Sequence, residues 1–136
     1  MANKFKLEIV TPEAKTFSDD VDTVTLTGSE GEMGILPEHM PLMTALVAGE
    51  IHAMKDGRSI FLAVGDGFIQ ITGDRVSILT DMAIQADNID EAAAEQARQR
   101  AEERLKQKLS DEDSVMVHAA LAHALTQLQV KRRRKV

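Results

Sequence analysis

Gly28-Ser-Glu-Gly-Glu-Met-Gly-Ile-Leu-Pro-Glu-His-Met-Pro-Leu42 is the stretch around which the rest of the chain sorts itself. Gly28, Gly31, Gly34, Pro37 and Pro41 all fall inside it. Glycine reaches backbone angles that other residues resist, while proline fixes φ and removes an amide donor. The stretch therefore predicts a reversal around a short apolar strand, Met33 to Leu36, followed by a rigid loop. Glu32, Glu38 and His39 are the polar groups that the loop presents.

Strand signals flank it on both sides. Upstream, Lys4 to Val10 alternates polar and apolar residues with the period of a half-buried strand. Thr11-Pro12 ends that run, Lys15 to Phe17 is a short second strand, and Val21, Val24 and Leu26 lie in a Thr-rich run closed by Gly28. Downstream, Leu42 to Val47, Glu50 to Lys55, Ser59 to Val64, Phe68 to Thr72 and Arg75 to Leu79 are short β-prone runs. Turn pairs such as Asp56-Gly57 and Gly73-Asp74 separate them, and Asp-Gly between extended runs marks a hairpin. The reading is an N-terminal antiparallel β-sandwich of about ten short strands over residues 1–86.

After Leu79 the pattern changes. Asp81 to Asp87 reads as a junction. Asp87 to Leu109 has no Gly or Pro and is rich in Ala, Glu, Gln and Arg, which are good helix formers. Asn88 with Glu91 fits an N-cap and its capping-box partner. Ala94, Ala97, Ala101, Leu105 and Leu109 line one thin stripe. Ser110-Asp-Glu-Asp-Ser114 then offers caps for a second helix with a main stripe of Val117, Leu121, Leu125 and Leu128, widened by Val115, Ala119 and Ala122. A stripe of alanines covers little of so broad a face, so the second helix needs a further surface, on its own sandwich or on another protein. The expectation is a C-terminal α-helical hairpin over residues 87–136.

Composition narrows the function. The core is aliphatic, since aromatic residues make up 3% of the chain and Trp and Tyr are absent. So few aromatics argue against a base-stacking nucleic-acid platform. There is no Cys, hence no disulfide framework or thiolate chemistry. No apolar run approaches the roughly 20 residues of a membrane-spanning helix, and no signal peptide is visible, which leaves a soluble protein or one peripheral to a membrane. The net charge is −6 although residues 131–135 are five consecutive cations. An acidic body thus carries a basic tip, and such a tip suits an acidic partner.

An enzyme finds little support. His39, His52, His118 and His123 show no metal-ligand spacing with an acid, and His118 has none on its next helical turn. Gly28-Ser-Glu-Gly-Glu-Met-Gly34 lacks the spacing and the lysine of a phosphate-binding P-loop. No metal or other cofactor is expected.

Residues 31–42 resemble the signature loop of the F-type ATP synthase epsilon subunits, Gly-Glu-hydrophobic-Gly-hydrophobic-hydrophobic-Pro-Gly-His-Ala-Pro-Leu. Glu38 replaces the usual glycine and Met40 the usual alanine. The resemblance runs on through Ala63-Val-Gly-Asp-Gly-Phe-Ile69, Arg75 to Asp81 and Ile89-Asp-Glu-Ala92. It implies a non-catalytic central-stalk rotor subunit of a rotary, ion-translocating ATP synthase. In that family the sandwich binds the gamma subunit and rests on the membrane ring of c subunits. The resemblance assigns the c-ring contact to Glu32 and His39. The helical hairpin folds against the sandwich or extends toward the alpha and beta subunits, where it restrains ATP hydrolysis. The basic tip, Lys131, Arg132, Arg133, Arg134 and Lys135, would then dock on the catalytic hexamer. The setting implied is the cytoplasmic face of the bacterial inner membrane, held there through the complex and without nucleic acid.

Some family members bind ATP through an Ile/Leu-Asp-x-x-Arg-Ala motif. Ile89, Asp90 and Ala94 match it, and Arg100 resembles a further family arginine. Ala93 stands in place of the motif's arginine and Ile84 in place of an upstream acid. Alanine has no substitute for the guanidinium's fork of donors, so weak ATP binding or none is expected. The rival reading is a free-standing nucleotide-sensing module built on the same hairpin.

Overall fold

A computed structural model describes residues 4–28, 31–37 and 40–134. His39, Lys135 and Glu38, which the sequence singled out, lie outside the described residues. Among the described residues ten strands precede two α-helices: β1 (Phe5–Val10), β2 (Lys15–Val21), β3 (Thr23–Gly28), β4 (Gly31–Ile35), β5 (Leu42–Leu46), β6 (Gly49–Lys55), β7 (Arg58–Val64), β8 (Gly67–Ile71), β9 (Arg75–Thr80), β10 (Ala83–Gln85), α1 (Glu91–Leu105) and α2 (Asp111–Arg133).

The strands hydrogen-bond along one path, β10-β7-β6-β3-β5-β8-β9-β1-β2, and β4 pairs with β3 as a branch. The joint between β3 and β5 is a single pair, Gly28 with Leu46. There the path folds over, so two layers face each other as a sandwich. Alternation drives the packing. Phe5, Leu7 and Ile9 of β1 point inward beside Ile69 and Ile71 of β8 and Val76 and Ile78 of β9. From the other layer come Val24, Leu26, Ile51, Leu62 and Val64. The turn from β6 to β7 uses Asp56 (φ 52°) and Gly57 (φ 80°), the two left-handed positions of a tight hairpin.

Several expectations need correction. The sandwich is not wholly antiparallel, because β1 runs parallel to β9, with Leu7 opposite Val76. A parallel neighbour needs a long crossover, and the intervening chain from β2 to β8 supplies it. The second strand continues to Val21, carrying Val21 into the core beside Phe17. The signature strand starts at Gly31 and stops at Ile35, so Leu36 falls outside it. The supposed junction contains β10, which pairs with β7, Ala83 opposite Val64.

The first helix begins later than expected. Ala86–Asn88 forms a 3-10 turn and Ile89 is extended and buried, so Asp90, not Asn88, is the N-cap, accepting from the Ala93 amide at 3.1 Å. It also ends at Leu105 rather than Leu109, because residues 106–110 make the reversal into α2. Ser110 does cap α2, accepting from the Asp113 amide at 3.1 Å. Acids fill the first turn of α2 and cations its last, each end suiting the helix dipole.

The stripe on α2 also differs. The helix buries Val117, Ala124, Thr126, Leu128 and Val130, whereas Leu125 is 47% exposed. Periodicity marks an apolar face, but neighbours decide which part is covered. α2 lies between α1 and the outer face of β7, and small residues allow the close approach. Val130 packs with Ala63, Ala86 and Ile89, flanked by Phe61 and Ile84.

Candidate functional site

Three surfaces carry the chemistry. The first is the signature loop. Glu32 is exposed on β4 opposite Thr27, and Gly34 sits opposite Thr25. Met33 packs against the core and Ile35 is buried, so the loop is anchored from within. Leu36 and Met40 are exposed beside it. The loop presents apolar side chains together with its carboxylate, which the emphasis on polar groups missed.

The second surface is a row across four strands of one layer. Val10 of β1 lies opposite Leu79 of β9, Leu79 opposite Phe68 of β8, and Phe68 opposite Ala45 of β5. Residues of the same pleat share a face, and these four point away from the core. Phe68 is 60% exposed and Leu79 50%. Met43 on β5 and Val47 just beyond its end are exposed too. Val10, Pro12, Phe68 and Leu79 line a shallow depression of about 450 Å³. Scattered exposed apolar residues need no explanation, but a contiguous row does.

The third surface is the end of α2. Lys131 donates to the Ala86 carbonyl at 3.2 Å. Arg132 donates to Glu91 at 2.9 Å and to Glu95 at 3.3 Å. Arg133 lies 3.6 Å from a Glu50 oxygen. Arg134 donates to both oxygens of the same carboxylate, from Nε at 2.8 Å and from Nη2, and its guanidinium sits 3.7 Å above the Phe61 ring centre. Phe61 in turn stacks on His52, whose Nε2 lies 2.9 Å from the Ser59 hydroxyl. Hydrogen bonds donated to Glu91 and Glu50 push the Arg132 and Arg134 guanidiniums above the ordinary arginine value. All four described cations of the basic tip therefore bind this chain's own groups. Glu32 lines the same polar cavity of about 480 Å³ as Glu50, His52, Arg133 and Arg134. Earlier on α2, His123 Nε2 lies 3.0 Å from Asp81. Gly65 underlies that contact, where a Cβ would fall 2.0 Å from the Asp81 carboxylate.

The positions matched to a nucleotide motif do not converge. Ile89 and Ala94 are buried, and the Asp90 carboxylate is engaged as the N-cap of α1. Arg100 lies ten residues further on, about 15 Å along the helix axis. It borders a different groove, between the helices, with Arg104, Asp113 and Met116. Ile84 is half-buried against the apolar cluster under α2. Among the described residues no cluster of three or more metal-ligating side chains occurs.

The model of the ATP synthase Delta/Epsilon chain beta-sandwich domain matches residues 4–86, and that of the Delta/Epsilon chain long alpha-helix domain matches residues 87–132. The chain belongs to the ATP synthase delta/epsilon family. Relatives named ATP synthase epsilon chain include one from Herpetosiphon aurantiacus, 45% identical over 130 residues that span 96% of both chains. Another, from Geotalea uraniireducens, is 44% identical over 132 residues, 96% of this chain and 95% of the relative. In fold the chain is similar to one in the Euglena gracilis mitochondrial ATP synthase, with a TM-score of 0.70 at 21% identity, covering 90% of this chain and 78% of that one. It is also similar to one in the central stalk and c-ring of the Tetrahymena thermophila enzyme, with a TM-score of 0.56 at 13% identity over 98% of each.

Within this epsilon-family chain, sequence reasoning singled out the loop and the tip and did not single out the apolar row. The signal was present: Val10, Phe68 and Leu79 each occupy an outward position of an otherwise alternating strand. Glu50, Phe61 and His52 were missed as well. Nothing in a lone Glu on β6 says that a helix eighty-odd residues later will land on it.

Proposed function

We propose that this chain is a non-catalytic rotor subunit that links the gamma subunit of an ATP synthase to its membrane c-ring, with a helical hairpin that restrains ATP hydrolysis. The observation that carries the reading is the uncovered row Val10–Leu79–Phe68–Ala45 on a sandwich whose β7 face is already taken by α2. An apolar row left open beside a closed core suits permanent docking on a stalk partner, here gamma. Glu32 and His39, with Leu36 and Met40 beside Glu32, form the loop offered to the c-ring. The helical region 87–136 is the regulatory part and 1–86 the docking part. In the extended state Lys131 to Lys135 would meet acidic groups on the alpha and beta subunits.

No helix among the described residues is long and apolar enough to cross a membrane. Attachment through gamma and the ring would hold the chain at the cytoplasmic face of a bacterial inner membrane. The nucleotide-sensor alternative gains nothing from the geometry, since Asp90 and Arg100 border different sites.

Deleting residues 111–136 tests the regulatory half. ATP hydrolysis by the assembled enzyme should rise and synthesis should persist. An unchanged hydrolysis rate would reduce the hairpin to packing.

A further inference from the structure

The outer face of the β6–β7 hairpin is built to receive the end of α2. Its register sets Glu50 opposite Ala63 and His52 opposite Phe61. Alternation places Glu50 and His52 on one face of β6, with Ala63 and Phe61 beside them on β7. Ala63 is small enough for Val130 to pack directly on it. One helical turn beyond Val130, on the same face of α2, Arg134 lands on Phe61 and Glu50. Arg133 adds a second cation to the same carboxylate. The His52 ring behind Phe61, itself tied to Ser59, fixes the aromatic platform.

We propose that Glu50 and Phe61 form a catch on the sandwich that holds the end of α2 through Arg134 and Arg133, and so sets the resting position of the helical pair. The inference rests on the reading of that pair as a displaceable regulatory element. The catch is strong in geometry and cheap to open. A two-armed arginine–carboxylate pair stacked on a ring is directional. Arg134 keeps 31% of its side-chain exposure and Glu50 11%, and both lie at the surface, so water can take the place of either partner once the helix lifts. An element with two alternative positions needs such a small gap. The same guanidiniums cannot hold Glu50 and a partner's carboxylates at once. An acidic partner surface therefore competes directly with Glu50, and weakening Glu50 favours the extended, inhibitory position.

Hydrogen exchange on the full chain tests this, with Glu50→Gln, Phe61→Leu and Arg134→Gln as variants. Amides 128–134 should exchange roughly tenfold faster in each single variant, while β8 and β9 amides stay at the wild-type rate. The Arg134→Gln variant leaves the sandwich sequence untouched, so it reads the catch even where a sandwich variant folds poorly. Glu50→Gln with Arg134→Gln should exchange little faster than either alone, since both remove one interaction. Unchanged exchange in the single variants, or fully additive effects, would overturn the catch. In the assembled enzyme Glu50→Gln should lower ATP hydrolysis, opposite in sign to deleting α2. Looser exchange with unchanged hydrolysis would leave the catch standing and overturn the regulatory reading beneath it.

Discussion

Replacing Phe68 with alanine should separate docking from folding. In the isolated chain the ring is 60% exposed and points away from the core, so the change should alter stability by no more than about 0.5 kcal/mol. On a partner the exposed part becomes buried. A phenylalanine buries roughly 150–250 Å² when fully covered; at 60% exposure, about 120 Å² is available for new burial. At about 25 cal/mol per Å² that area corresponds to roughly 3 kcal/mol. Because binding also immobilises side chains, about 2 kcal/mol is the working figure, or a loss of about 30-fold in affinity. Leu79, its cross-strand neighbour at 50% exposure, should give a somewhat smaller loss, and the double variant more than either. Calorimetric titration of the wild type and variants with purified gamma subunit is the assay, with urea unfolding of the isolated chains as the control. Wild-type affinity in the double variant, with stability unchanged, would refute the assignment of the row to gamma.

The remaining predictions concern the sandwich and the loop. Gly67→Ala should destabilise the chain by about 1–3 kcal/mol or more, because a Cβ there would sit 1.8 Å from the Leu79 backbone carbonyl; an unshifted urea midpoint would contradict the tight β8–β9 approach. Replacing both Glu32 and His39 with alanine should leave the isolated chain folded and weaken coupling of proton flow to ATP synthesis. Wild-type proton pumping by membranes carrying that variant would count against the ring contact.

The sandwich was legible because its strands alternate cleanly and its turns carry Gly, Asp and Pro at the required places. Lys4 to Val10 shows the alternation, and Thr11-Pro12 directly after it shows the turn signal. The parallel pairing of β1 with β9 was not legible, since alternation gives a strand's faces and not its neighbours. The end of α1 at Leu105 was hidden for a related reason. Residues 106–109, Lys-Gln-Lys-Leu, are good helix formers, and only the need to bring α2 back toward β7 stops the helix there. The burial of Ala124 and Thr126 in place of Leu125 follows from where α2 lies, which no local pattern encodes. Glu32 stood out through the resemblance of its loop, and the basic tip through its run of consecutive cations. Glu50 and Phe61 were invisible because both meet Arg134, which for Glu50 lies 84 residues away in sequence.

As a bound part of the rotor, this chain should copurify with the rest of the enzyme. Affinity purification through a tag on this chain, from mildly solubilised membranes of the source cell, tests that most directly. Gamma, the c-ring and the alpha and beta subunits should be recovered together, and glutamate at both Phe68 and Leu79 should release them. Recovery of the wild-type chain alone, free of gamma and the ring, would contradict its place in the rotor.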